Sequence, residues 1–136
     1  MSFEEDNRFN EEKELELLSK LATTSHIDWK PAILLSEAYI EKYAKNRLKQ
    51  ILKNRKINLD KKIQNITLKQ LTLFLYSLHE INSKEFTEIN KIQSQKNRII
   101  NPKKTCPQTY FGEKANKKYK PLIESTIKII STLKNK

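Results

Sequence analysis

A single glycine in 136 residues constrains this chain more than any other feature. Average usage of about 7% would place roughly nine. Gly112 alone builds neither a G-x-x-x-x-G-K-[ST] phosphate loop nor a G-x-G-x-x-G turn, so glycine-built nucleotide cradles are excluded. Barrels and sandwiches rich in tight hairpins go with them, because two-residue hairpin turns draw on glycine for positive φ. Valine is absent, while leucine, isoleucine, lysine and asparagine are abundant. The expected fold is all-α, a single-domain helical bundle.

Periodicity and punctuation divide the chain into about five helices. The first runs from about Phe3 or Asn10 to Ala22, with Leu15, Leu18, Leu21 and Ala22 on one side. Asp28 caps the second, which tolerates Pro31 in its first turn and continues to about Lys53. Thr67 caps a third through Leu78. Ser83 caps a fourth, from Lys84 to about Ile100, stopped by Pro102. A fifth spans about Gly112 to Leu133, with Pro121 expected to kink or restart it. Residues 1–29 read as an acidic helix and cap in front of a bundle formed by 30–136, within one domain overall.

Charge is unevenly placed. Residues 1–30 carry eight acids and four bases, net −4, whereas 31–136 carry 23 bases and eight acids, net +15. A body that basic attracts phosphate backbones through counterion release, or else its lysines simply solvate helix faces. The acidic front is expected to be a solvated first helix. One cysteine, Cys106, excludes an internal disulfide framework and suits a cytoplasmic location. No apolar run approaches the ~18 residues of a membrane span, the acidic start is unlike a signal peptide, and no membrane partner is expected. Two histidines, His26 and His79, leave little for zinc or triad chemistry. No metal or cofactor is expected.

The apolar stripes contain defects. At 100° per residue, Ile33, Leu34, Ile40, Ala44, Leu48, Ile51 and Leu52 share one face of the second helix, and Glu37 and Glu41 fall inside it. Phe86, Ile89, Ile92, Ile99 and Ile100 define the apolar face of the fourth, yet Lys96 lies at its centre beside Gln93 and Asn97. Charge in an apolar stripe is costly unless paired or near water. The expectation is contact between the two helices, with Lys96 paired to Glu37 or Glu41; the alternative is that Lys96 snorkels to solvent.

Residues 32–43, Ala-Ile-Leu-Leu-Ser-Glu-Ala-Tyr-Ile-Glu-Lys-Tyr, and 88–102, Glu-Ile-Asn-Lys-Ile-Gln-Ser-Gln-Lys-Asn-Arg-Ile-Ile-Asn-Pro, carry a resemblance. The first resembles the long helix of HEPN domains (higher eukaryote and prokaryote nucleotide-binding). The second is similar to that family's signature helix, which ends in Arg-Asn, three residues, then His. The resemblance covers about residues 30–134 and implies a HEPN-like bundle, a homodimer or a subunit of a larger assembly, and a defence or toxin–antitoxin setting. It also implies a site at Lys96, Asn97 and Asn101, with Glu37 or Glu41. Two positions depart from the motif: Lys96 stands for its arginine and Asn101 for its histidine. Lysine lacks arginine's bidentate fork, and asparagine cannot take up and return a proton near neutral pH. The expected function is non-catalytic binding of RNA, a nucleotide or a partner protein. Its rivals are a metal-independent ribonuclease with a divergent site and an architectural helical subunit.

Arg98, Lys103, Lys104, Lys114, Lys117 and Lys118, interleaved with Tyr110, Phe111 and Tyr119, form the remaining pattern. They read either as an RNA-binding surface with stacking platforms or as a solvated loop with its aromatics packed inward. Tyr39, Tyr43 and the cluster His26, Asp28 and Trp29 read as packing and capping residues.

Overall fold

The computed structural model describes residues 3–23, 28–102 and 109–136. Within them the fold is all-α, without strands: α1 (Phe3–Thr23), α2 (Trp29–Asn54), α3 (Asp60–Gln64), α4 (Leu68–Ser77), α5 (Ser83–Ile100) and α6 (Glu113–Lys134). His26, Lys103, Lys104 and Cys106 lie outside the described residues.

α2 is the spine and packs against each of the other helices. Its inner face buries Ile33, Ile40, Ala44, Leu48 and Ile51, five of the seven stripe residues. Leu34, at the stripe's edge, is exposed, and Leu52 is only partly buried. α1 is docked rather than free: Leu18 and Ala22 join the core, and Glu14 accepts hydrogen bonds from Lys42 Nζ (2.8 Å) and the Tyr43 hydroxyl (3.0 Å).

The start of α2 is pinned to the start of α6. The Trp29 amide donates to the Tyr110 carbonyl (2.8 Å), and its buried indole Nε1 donates to Asn116 Oδ1 (2.7 Å). At their other ends, Lys53 of α2 and Leu133 of α6 line one cavity, so the two helices run in parallel. α5 runs against them: Lys96, near its end, reaches Glu37 near the start of α2, while Glu80, just before it, reaches Arg47. The bundle thus has a proximal end, at the starts of α2 and α6, and a distal end where they finish.

Four local expectations are corrected. A sixth helix, α3, is a five-residue turn anchored by buried Ile63, too short to show periodicity. Asn82, not Ser83, caps α5: its side chain accepts from the Glu85 amide while Glu85 accepts from the Asn82 amide. Of the two outcomes expected at Pro121, a restart is ruled out, because α6 runs through it as one helix. The proline and the residue four before it, Lys117, are both exposed, so water can take the freed carbonyl. Ile100 is 56% exposed, because the apolar face of α5 fades in its last turn. Asp28 and Thr67 cap α2 and α4 as their positions predict.

Glycine poverty leaves a mark on the helix exits. α2 ends with the Ile57 amide on the Leu52 carbonyl (2.8 Å) and the Lys56 amide on the Lys53 carbonyl (2.9 Å). α4 repeats this with Glu80 on Leu75 (2.9 Å) and His79 on Tyr76 (3.1 Å). Both are Schellman closures, which need a left-handed residue and usually take glycine. Here Lys56 and His79 fill the position, each at φ 60°. Gly112 (φ 98°) opens α6.

Candidate nucleic-acid interface

The cross-helix pair is present. Lys96 Nζ lies 3.7 Å from Glu37 Oε1, with Glu37 8% exposed and Lys96 half-buried. Glu41, one turn on, turns instead to Lys45 (2.9 Å) on its own helix. Burial pushes the Glu37 carboxyl above the usual carboxylate value, and the Glu41 charge adds to this; the Lys96 ammonium offsets only part of it. Glu37 is therefore a carboxyl whose ionisation is penalised by its surroundings and supported by one cation.

The other motif-equivalent residues do not join this pair. Asn97 lies about 100° around α5 from Lys96, which carries it away from α2. It lines a shallow exposed groove with Lys69, Asn90, Gln93, Ser94, Arg98 and Asn101. Asn101 is the C-cap of α5 and donates its amide to the Asn97 carbonyl (2.9 Å). Lys96, Asn97 and Asn101 do not converge on one cleft within a single chain, because helix phase separates them. Lys96 faces inward and the two asparagines face water.

The proximal end gathers the cations. Tyr110 and Tyr119 stack there with ring centroids 5.4 Å apart, and the Tyr119 hydroxyl points to Gln95 Oε1 at 3.5 Å. Burial raises the proton affinity of both phenols, and the neighbouring Arg98 charge counters it. Lys30 Nζ lies 5.4 Å from the Tyr110 ring centre and Lys118 Nζ 5.3 Å from that of Tyr119. The pair is thus ringed by cations from α2, α5 and α6. Lys114 and Lys117, within a turn of Lys118, are exposed, as is Arg98.

Tyr110 requires a correction. It is 6% exposed, with its ring against Tyr119 and its carbonyl holding the Trp29 amide, so it is no stacking platform for a base. Phe111, beside it and 64% exposed, is the ring left open to solvent. The sequence marks Lys30 only by its place in the first turn of the second helix; its position over Tyr110 is set by the packing of α2 against α6.

No group of three or more His, Cys, Asp or Glu side chains among the described residues is placed to hold a metal ion. No described helix is long and apolar enough to cross a membrane. No family model, curated protein or solved structure matches the chain.

Proposed function

We propose that this chain is a non-catalytic, HEPN-like module that binds single-stranded RNA by its phosphate backbone at the proximal end, in a defence or toxin–antitoxin setting. The observation that carries the reading is the ring of Lys30, Arg98 and Lys118 around the buried tyrosine pair, extended by exposed Lys114 and Lys117. Point cations on exposed helical turns suit a flexible polyanion, and Phe111 offers one face for a base. The absence of catalysis rests on the replacement of the motif's arginine and histidine by Lys96 and Asn101, and on their divergent directions. Homodimerisation, which the family resemblance implies, belongs to the same reading.

Fluorescence anisotropy with labelled single-stranded RNA tests it. Affinity should fall with salt at a log–log slope of about −0.7 per phosphate neutralised. Lys114→Gln/Lys117→Gln/Lys118→Gln should remove about 2 from the steepness of that slope. An unchanged slope overturns the assignment.

A second reading, a metal-independent ribonuclease, is favoured by one feature: Glu37 holds its proton more tightly than an ordinary carboxyl and sits beside an ammonium. RNA cleavage in EDTA, abolished by Glu37→Gln and by Lys96→Ala, would establish it and retire the non-catalytic reading.

A further inference from the structure

The distal end carries a second cationic feature of different shape. A cavity of about 820 Å³ opens where α2 and α6 finish, within the usual size range of ligand pockets. Arg47, Lys49, Lys53, Lys56 and Lys134 line it, and no carboxylate does so among the described residues. Arg47 is already spent: its Nε and Nη2 hold the two Glu80 oxygens at 2.9 and 3.1 Å, and its Nη1 donates to Gln50 Oε1 at 3.3 Å. Lys49, Lys53 and Lys56 make no ion pair among the described residues.

Those three lysines form one ladder. Lys49 and Lys53 stand one turn apart on one side of α2, and Lys56, in the left-handed turn just past its end, lines the same cavity. Like charges one turn apart repel by a few tenths of a kcal/mol per pair. The C-termini of α2 and α6 meet here and bring about −0.5 each. Against three lysines, that leaves roughly two positive charges unneutralised. Lys49 and Lys53 are about 6 Å apart along the axis at 1.5 Å per residue, and Lys56 continues the row past the helix end. Three cations at successive positions along one cavity wall suit a chain of linked phosphates more than one compact ion.

From this we infer that the distal cavity binds a compact oligophosphate, a linear chain of two or three phosphates, clamped by Lys49, Lys53 and Lys56. A nucleoside triphosphate and a free polyphosphate share that chemistry. The site stands apart from the proximal RNA surface, on the order of 30 Å away along α2, and does not depend on it.

Inorganic tripolyphosphate, titrated calorimetrically into the full chain at roughly physiological ionic strength, where long-range attraction is screened, is the direct probe. Saturable 1:1 binding is expected, weakened about tenfold or more by Lys53→Gln/Lys56→Gln. Lys62→Gln/Lys84→Gln, equal in charge but elsewhere, should leave it within about twofold, the span of an exposed charge. Equal loss in both double variants, several weak equivalents, or equal affinity for orthophosphate would each overturn the site. ATP binding more tightly than tripolyphosphate assigns a nucleoside triphosphate, and equal binding assigns the phosphate chain alone. The Lys114→Gln/Lys117→Gln/Lys118→Gln variant should keep tripolyphosphate binding while its RNA slope changes, so either site can fail without the other. Thermal melts of every variant confirm that each is folded.

Discussion

The proximal and distal ends hold similar numbers of cations, most of them on the two parallel helices α2 and α6, yet they differ in field and shape. At the proximal end the N-termini of α2 and α6 add about half a positive charge each, and the opposed α5 takes half of that back. At the distal end the same three dipoles carry the opposite sign. Proximal lysines therefore act with the backbone field and stand on open helical turns, which suits a long flexible anion. Distal lysines act against it and line a cavity, so only a compact, highly charged ligand in direct contact overcomes the opposing field. Position along a helix decides what a lysine can do as much as its charge does.

The comparison depends on the starts of α2 and α6 being locked together, and Trp29 is the lock. Its side chain is fully buried and bonded to Asn116 across the two helices. Trp29→Ala should cost about 3–5 kcal/mol, measured by denaturant melts, a large share of a total that is usually about 5–15. Asn116→Ala, which strips only the indole's acceptor, should cost about 1–2 kcal/mol. In the folded Asn116→Ala protein, RNA affinity should fall while tripolyphosphate binding at the far end persists. Equal loss of both would mean that the two ends are not independent.

The sequence made the helices, most of their caps and one cross-helix contact legible, for a local reason. Charge inside a 3.6-period apolar stripe has few places to go, so the sequence points Lys96 to Glu37 or Glu41, and the structure gives Glu37. Lys45, one turn beyond Glu41, takes that carboxylate in an i,i+4 pair and leaves Lys96 to Glu37. The fate of Tyr110 is hidden in the sequence, because its backbone is held by Trp29, 81 residues away, and its ring by Tyr119 across an intervening turn. α3 escaped notice because five residues with one buried isoleucine carry no period. The distal ladder looked like an ordinary solvated face, since its cavity exists only where the end of α6 closes beside it. Short-range patterns are readable, and what another helix decides is readable only where a charge interrupts an apolar stripe.

Between the two ends sits the Glu37–Lys96 pair, and it separates site from packing. Lys96→Leu leaves a buried carboxyl without its cation and should cost about 1–2 kcal/mol, less than a fully buried pair because Lys96 is half-exposed. Lys96→Leu with Glu37→Leu should recover most of that loss, a coupling of about 1 kcal/mol or more, whereas Glu41→Leu should show none. Zero coupling at Glu37 would mean that Lys96 is solvated. The pH dependence has a fixed sign. The folded-state pKa of Glu37 is raised above 4.5, so its contribution is fully present below that value and declines as pH rises through the raised one. Glu37→Gln removes the decline and should gain on the wild type across that window. Glu80, held down chiefly by its hydrogen bond from Arg47, behaves oppositely: its contribution is lost as pH falls through the lowered value.

The smallest expected effect is the one that best separates strain from charge. Lys56 and His79 occupy the same left-handed position at two helix exits, both at φ 60°. A side chain there costs roughly 1–2 kcal/mol, and glycine's greater freedom in the unfolded chain returns up to about 1. Lys56→Gly and His79→Gly should each stabilise by about 0.5 kcal/mol, roughly 2 °C in a melt of a domain this size. Their consequences should then part. His79 lies outside the distal cavity, so its substitution should leave tripolyphosphate affinity unchanged. Lys56→Gly removes one rung of the ladder, so a more stable protein should bind tripolyphosphate several-fold more weakly, as loss of one charged contact demands. Stabilisation without weaker binding would show that Lys56 serves the turn alone. Weaker binding without stabilisation would show that the surrounding turn already absorbs the strain.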